Sequence, residues 1–132
     1  MSQENVEIVR TAYGHLNRGN AEALIDLCDE GIVMDMSERV FNPDTYRGHE
    51  GIRRFCEEVR SVWETYQWEV EQTRTVDDAV VAMVHCRGQG RQGGPWAEWH
   101  VAWLWRIQHG RPVSLRFYRD PPRALEAVGL AE

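Results

Sequence analysis

Asp35 is the residue whose surroundings point most directly to chemistry. It follows the apolar segment Ile32-Val33-Met34 and precedes Met36. Burying an ionised carboxylate beside methionines costs free energy unless the group is paired or serves a purpose. Desolvation would raise the pKa of Asp35 and suit it to proton abstraction. The pattern therefore indicates a general base. A strand-end aspartate that faces water or caps a turn is the alternative that the residues leave open.

Histidines are the other candidate acid–base groups. His85 lies in the β-rich segment 80–87, in which the pattern does not fix the inward face. Facing inward, His85 would act with Asp35 as a second catalytic group; facing outward, it is an ordinary strand histidine. His100 alternates with Glu98 on the strand face opposite to the tryptophans, which indicates the surface or a dimer interface. No pair of histidines has the HxxxH spacing, so no metal site is predicted.

A set of mostly aromatic residues predicts an apolar pocket. Trp99, Trp103 and Trp105 share one face of a predicted strand, and bulky rings on a concave face suit a flat, cyclic, apolar ligand. The alternative is that the rings only fill the core. Arg119 continues the register of the next strand, which predicts either pairing with Asp35 at the cavity mouth or a solvated side chain. The candidate ligand-binding residues are Tyr13, Phe55, Trp63, Trp99, Trp103, Trp105, Phe117 and Arg119.

Composition narrows the classes of function. The 15 basic residues of the 132 are all arginine, which excludes lysine Schiff-base chemistry and the P-loop lysine. The net charge of −6, without a basic cluster, argues against nucleic acid as a partner. No cofactor is expected. Three cysteines without a CxxC motif predict free thiols in the cytoplasm, and neither a signal peptide nor a membrane-spanning segment is expected.

The elements that must position these groups follow from hydrophobic spacing. The pattern predicts one α+β domain over residues 1–132, in the order α-α-β-α-β-β-β-β-α. A polar loop is expected over residues 37–47, and a third helix from near Gly48 to Val62 or Trp63. Four strands joined by short turns then predict an antiparallel meander, with the three preceding helices covering one of its faces. A strongly bent sheet of this kind leaves a cavity beneath it.

Three segments carry a family resemblance: the opening from Asn5-Val6-Glu7-Ile8-Val9-Arg10 to Leu16-Asn17-Arg18-Gly19-Asn20, the segment Tyr46-Arg47-Gly48-His49-Glu50-Gly51-Ile52-Arg53-Arg54-Phe55, and the ending from Phe117-Tyr118-Arg119-Asp120 to Leu130. They resemble SnoaL-like proteins, which share the cone-shaped fold of nuclear transport factor 2 and the ketosteroid isomerases. The resemblance spans nearly the whole chain. It implies a cone with a pocket between sheet and helices, and homodimers through the outer face of the sheet. It leaves function open, because the superfamily contains isomerases, cyclases, dehydratases, epoxide hydrolases and binding proteins.

The resemblance also implies site residues. Alignment with ketosteroid isomerases places Asp35 where those enzymes carry the general base. Their oxyanion hole is not reproduced, since Ala12 stands at the tyrosine position and Trp103 at the position of the protonated acid. Trp103 offers one N–H donor but no acid. Steroid isomerisation by that mechanism is therefore not expected.

Three functions follow as hypotheses. The first is a cofactor-free acid–base enzyme, isomerase-, cyclase- or dehydratase-like, that acts on a cyclic apolar or polyketide-like substrate with Asp35 as base. The second is a non-catalytic module that binds a small apolar or cyclic ligand. The third is a dimeric scaffold, for which apolar residues of the outer face such as Ala102 and Leu104 would be buried between two chains.

Overall fold

The fold is an antiparallel meander extended by two short strands, with three helices ahead of it and one behind. A computed structural model of the chain describes residues 2–40 and 42–130. The elements are α1 (Ser2–Asn17), α2 (Ala21–Leu27), β1 (Val33–Asp35), β2 (Thr45–Arg47), α3 (Gly48–Val62), β3 (Trp63–Val76), β4 (Ala79–Gly90), β5 (Trp96–Gln108), β6 (Arg111–Tyr118) and α4 (Pro121–Ala127).

All the strands form one sheet in the order β2-β1-β6-β5-β4-β3. The predicted meander of β3 to β6 is confirmed, and β1 joins it by pairing parallel to β6. The β5–β6 connection is a tight turn at His109-Gly110, where both residues have positive φ, as a type I′ hairpin requires. The sheet is curled but not closed, so its concave face wraps around the N-terminal helices as the cone fold demands.

Two predicted boundaries were wrong. The expected loop over residues 37–47 contains strand β2, because Tyr46 pairs with Met34 and its ring is almost completely buried. Trp63 belongs to β3 instead of α3, since the helix ends at Val62 and the chain enters an extended conformation directly. Neither change removes an expected element; the observed order gains one strand before α3.

The helices cover the concave face through single apolar stripes. In α1, Val9, Ala12, Tyr13 and Leu16 are buried at helical spacing. Gly19, with φ of 68°, ends the first helical segment, and the Asn20 side chain accepts a hydrogen bond from the backbone N–H of Ala23 at 3.1 Å. These signals fix where α1 turns back into α2, and therefore which face of α1 meets the sheet.

A second apolar cluster lies on the outer face of the sheet. Ala102, Leu104 and Tyr118 pack there against Ala124 and Leu125 of α4. The expectation that Ala102 and Leu104 form an apolar surface for another chain is therefore corrected, because α4 of the same chain buries them. None of the helices within residues 2–40 and 42–130 is both long and apolar enough to span a membrane.

Candidate functional site

The concave face of the sheet and α3 enclose an apolar cavity of about 100 Å³. Strand β5 contributes alternate residues to its wall, and α3 contributes Phe55 and Val59, one turn apart. Val40 and Val62 border the cavity and are exposed, which gives it an apolar entrance. The aromatic residues of the wall are Phe55, Trp63, Tyr66, Trp68, Trp99, Trp103 and Phe117.

Trp103 stands at the centre of this wall. Its ring lies 6.3 Å from that of Phe55, 6.4 Å from Trp68 and 6.5 Å from Phe117, all in edge-to-face geometry. Such pairs stabilise beyond their buried area by about 0.5–1.5 kcal/mol each. The indole is therefore held from three sides by rings of α3, β3 and β6.

The indole nitrogen of Trp103 has no hydrogen-bond partner. Within the part of the chain that the structure describes, it is the buried side-chain polar atom left without an acceptor. Leaving a buried donor unpaired costs about 1–3 kcal/mol, and such groups in native proteins call for an explanation, such as strain, a functional role or a bound molecule. An acceptor oxygen brought by a ligand would satisfy this donor.

A second, more open cavity of about 410 Å³ lies between the α1–α2 turn and the start of β3. The two cavities are separated by a shared wall of five side chains: Phe55, Val59, Trp63, Tyr66 and Trp68. Ligand pockets usually measure about 300–1,000 Å³, so the inner cavity alone is small. Rotation of Trp63 or Tyr66 would enlarge it toward the outer cavity.

Tyr66 and Cys86 supply the polar atoms inside the wall besides the indole nitrogens. Their side chains are hydrogen-bonded to each other, and burial raises the pKa of the Tyr66 hydroxyl well above its usual range. Burial also raises the pKa of the Cys86 thiol to about 12. Both groups are therefore neutral at pH 7, and neither is a thiolate or phenolate nucleophile.

Charged groups are found at the rim of the cavity, in a network that the sequence did not reveal. Arg39 donates to the Tyr46 hydroxyl oxygen at 2.6 Å, and that hydroxyl donates to Glu58 Oε1 at 2.5 Å. Arg54 donates to the other Glu58 oxygen at 3.3 Å. Burial, followed by the bond to Glu58, raises the pKa of Tyr46. Because Arg39 and Glu58 also line the cavity, they can orient the polar end of a ligand.

Glu58 could have been found from spacing. It lies three residues after Phe55 and four before Val62, so it shares one face of α3 with these apolar residues. A carboxylate within such a stripe deserves the same attention that Asp35 receives. Arg39 carries no comparable signal, because it lies in the irregular segment after β1.

Asp35 lies outside the cavity. In β1, Met34 is buried in the core, and the side chain of Asp35 points to the other face of the sheet. Its Oδ1 accepts hydrogen bonds from the Ser37 hydroxyl at 2.6 Å and the Ser37 backbone N–H at 3.0 Å, and Arg116 lies 3.8 Å from Oδ2. The Ser37 hydroxyl is the largest influence on the pKa of Asp35, which is lowered. This geometry matches the turn-capping alternative and does not support a desolvated base.

His85 also lies on the outer face, and the structure does not bring it near Asp35. Its Nε2 is 2.6 Å from Glu98 Oε1, and its ring stacks on that of His100 at 4.5 Å. The hydrogen bond to Glu98 is the main cause of the raised pKa of His85. The expectation of an inward acid–base partner is corrected, because Val84 and Cys86, the neighbours of His85 in β4, take the inward positions.

The predicted ligand-binding residues divide into two groups. Phe55, Trp63, Trp99, Trp103, Phe117 and Arg119 line the inner cavity. Tyr13 and Trp105 instead lie behind Trp103 in the core, where Trp105 Nε1 donates to the Tyr13 hydroxyl oxygen at 3.1 Å. Arg119 is exposed at the mouth, and the arginine beside Asp35 is Arg116.

Comparison with known proteins agrees with this architecture. Phenazine biosynthesis protein PhzA2 of Pseudomonas aeruginosa is 24% identical over 108 residues, covering 78% of this chain and 67% of PhzA2. The structure of TerC co-crystallised with polyporic acid has a TM-score of 0.77 and 16% identity, over 95% of this chain and 97% of TerC. The structure of RV0760c from Mycobacterium tuberculosis in complex with estradiol-17beta-hemisuccinate has a TM-score of 0.74 and 16% identity, over 87% of this chain and 92% of RV0760c.

These solved structures share the fold of this chain. At 16% sequence identity, they show no shared function. The family model of the SnoaL-like domain matches residues 9–115 of the 132. This segment runs from the first buried residue of α1 to the middle of β6, and so includes most of the cavity wall. The chain belongs to the SnoaL-like domain family.

Proposed function

We propose that the protein binds a small, flat, mainly apolar molecule in the inner cavity, with one ligand oxygen accepting a hydrogen bond from Trp103 Nε1. The unpaired indole N–H in an aromatic wall carries this proposal. Aromatic walls contribute affinity through buried area, and a single placed donor contributes orientation. Polyporic acid in the TerC structure and estradiol-17beta-hemisuccinate in the RV0760c structure support a ligand of this general kind.

Binding would enlarge the inner cavity. Trp103 Nε1 is shut off from water, so a ligand oxygen reaches it only when neighbouring rings move. The wall shared with the outer cavity supplies rings for that movement. The polar end of the ligand would then lie at the rim near Arg39 and Glu58. Ligand and enlarged cavity therefore stabilise each other, as in induced fit.

The affinity of matched ligands tests this proposal. An aromatic ketone and its analogue with CH₂ in place of C=O are titrated calorimetrically into the wild-type protein and Trp103→Phe. A hydrogen bond of about 1–1.5 kcal/mol predicts a roughly tenfold loss of ketone affinity in Trp103→Phe and no comparable loss for the CH₂ analogue. Trp96→Phe, on the exposed tryptophan, is the control. Equal losses for the two ligands would contradict the assigned hydrogen bond.

A second candidate is acid–base catalysis at the rim. Asp35 no longer carries the isomerase-, cyclase- or dehydratase-like hypothesis, because it lies on the other face of the sheet. Glu58 borders the cavity and is hydrogen-bonded to Tyr46, so it is the carboxylate that a ligand would meet. If Glu58 moves a proton, Glu58→Gln abolishes turnover of a bound substrate while its affinity is kept. If the protein only binds, no turnover is found with any ligand that saturates the cavity.

The homodimer expected from the resemblance stays a proposal. Beside the part covered by α4, the outer face carries a polar group: Glu69, Glu71, His85, Glu98 and His100. Two copies paired through this group would bring carboxylates together, so protonation or another cation should favour the dimer. Sedimentation velocity across pH tests this. A monomer at every pH would contradict it.

A further inference from the structure

Two histidines lie directly opposite each other on the outer face of the sheet, away from the cavity. His85 of β4 and His100 of β5 are paired in register, and their rings are parallel within 4° at 4.5 Å. The two residues are fifteen positions apart, so no sequence motif reveals the pair. Stacked imidazoles at this distance cannot both take up a proton easily, because the two charges would repel.

The hydrogen bond to Glu98 prepares His85 to be a ligand. An ionised carboxylate can only accept, so His85 Nε2, 2.6 Å from Glu98 Oε1, carries the hydrogen. The neutral ring then leaves the lone pair of Nδ1 available. A histidine that donates one ring N–H to a carboxylate and offers the other nitrogen is the usual arrangement at metal sites. Glu69, 3.6 Å from Nδ1, adds negative charge beside that lone pair.

A third group reaches the pair from strand β3. The β3–β4 register shifts between Val70 and Gln72, so Glu71 is the extra residue of a β-bulge. Its Oε1 lies 3.8 Å from His100 Nε2, although β4 separates the two strands. One ligand atom each from Glu71, His85 and His100 can be chosen so that all three lie within 4.8 Å of one another.

We propose that Glu71, His85 and His100 bind one divalent transition-metal ion, such as Zn²⁺, on the outer face of the sheet. Imidazole and carboxylate suit such ions, and water would complete the coordination. Tetrahedral ligands at ordinary zinc distances are about 3.3 Å apart, so the three side chains must close in. Glu71 and His100 are 45% and 66% exposed, so their side chains have room to leave their present contacts, whereas His85 is 17% exposed and held by Glu98.

The site is independent of the ligand proposed for the cavity, because it lies on the opposite face of the sheet. The acids Glu69, Glu71 and Glu98 face the histidine pair, so a bound cation would meet negative charge from both β3 and β5.

Calorimetric titration of the untagged protein with ZnCl₂ at pH 7.5 tests the site. One ion should bind per chain, and His85→Ala and His100→Ala should each lose at least tenfold in affinity. Glu71→Gln should also weaken binding, and Glu98→Gln should weaken it by roughly 10–100-fold, as other outer-shell carboxylates do. His109→Ala, which removes an exposed turn histidine, is the matched control and should bind as the wild type does.

Co²⁺ distinguishes this site from the cysteines. Bound at Glu71, His85 and His100, it should show d–d absorption without a thiolate charge-transfer band. Failure of Zn²⁺ to saturate the protein would overturn the proposal. So would binding that is unchanged in both His85→Ala and His100→Ala, or a thiolate band that is lost when Cys56, the least buried cysteine, is replaced by serine.

Discussion

Trp105 Nε1 donates a hydrogen bond of 3.1 Å to the Tyr13 hydroxyl oxygen in the core, behind the cavity wall. Trp103, two residues earlier on the same face of β5, has no such partner. The two indoles stack with their rings 6.2 Å apart, yet one donor is used by the fold and the other is not. The fold therefore uses the donor of Trp105, and the donor of Trp103 is the one that we propose for a ligand oxygen.

Conservative replacement of each indole should separate these roles. Trp105→Phe removes the donor and leaves the buried Tyr13 hydroxyl poorly paired, so the free energy of unfolding should decrease by about 2–4 kcal/mol. Trp103→Phe removes an unpaired donor along with part of the ring volume. The free energy of unfolding should therefore decrease by about 2 kcal/mol less than in Trp105→Phe. Urea unfolding measures both. A larger loss for Trp103→Phe would show that its N–H is paired in the fold.

Asp35→Asn should affect stability and leave ligand binding unchanged. The pKa of Asp35 is lowered, first by the Ser37 hydroxyl, so the ionised form stabilises the fold above the unfolded value of about 3.9. That contribution is lost as the pH falls through the lowered folded pKa. Because the group is partly exposed, Asp35→Asn should cost only about 0.5–1 kcal/mol at pH 7.

Unfolding measured at several pH values tests this. The difference in the free energy of unfolding between wild type and Asp35→Asn should become smaller toward acid pH. Ser37→Ala should raise the pKa of Asp35. A cavity ligand should bind wild type and Asp35→Asn equally. A strong loss of turnover in Asp35→Asn, without a loss of stability, would restore the general-base hypothesis.

His85 should titrate above the ordinary histidine value. Because Glu98 raises its pKa, protonated His85 stabilises the fold fully below about pH 6.5, and this contribution is lost as the pH rises through the folded pKa. NMR titration of the His85 ring protons in metal-free protein measures the shift. Glu98→Gln should lower the pKa, and Glu57→Gln on exposed α3 surface should not. A His85 pKa at or below 6.5 would contradict the assigned hydrogen bond.

Gly88 limits the space at the wall between the two cavities. A Cβ at this position would lie 2.8 Å from Trp63 Cε3 and 2.9 Å from Tyr66 Cδ2, whereas a Cβ at Gly90 in the same strand meets nothing within 4 Å. Gly88→Ala should therefore displace the two rings, destabilise the protein by about 1–3 kcal/mol and change ligand affinity. The free energy of unfolding of Gly90→Ala should differ from that of the wild type by no more than about 0.5 kcal/mol. Equal stabilities of the two variants would mean that the rings are loosely packed.

The fold was largely predictable because its signals are local. The alternation of Trp99, Trp103 and Trp105 predicted that they share one face of β5, and the structure shows that this face is the inward one. Strand β2 was missed because three residues carry little periodicity, and its pairing with β1 brings together Tyr46 and Met34, twelve residues apart. Pairing of this kind is a tertiary property that a sequence window does not contain.

Most of the apolar lining of the candidate cavity was predicted, and of its charged residues Arg119 was predicted whereas Arg39 and Glu58 were not. Trp103 and Phe55 were identified because aromatic residues on an inward face must line or fill the core. Asp35 was misassigned because a strand of three residues does not show which face its last residue takes. Glu58 was missed although its spacing from Phe55 places it beside the apolar stripe of α3, because acids are ordinary on helices and the sequence does not show the cavity that it borders.

The central claim is that Trp103 Nε1 donates to a ligand oxygen, and indole ¹H–¹⁵N NMR tests it most directly. Six indole signals, one for each tryptophan, can be assigned with single Trp→Phe variants. On saturation with an aromatic ketone, the Trp103 indole proton should move strongly downfield, while that of Trp105, bonded to Tyr13, should stay near its free position. The CH₂ analogue should leave Trp103 without this downfield change. A ketone that binds in the cavity while the Trp103 proton shows no hydrogen-bond shift would contradict the account.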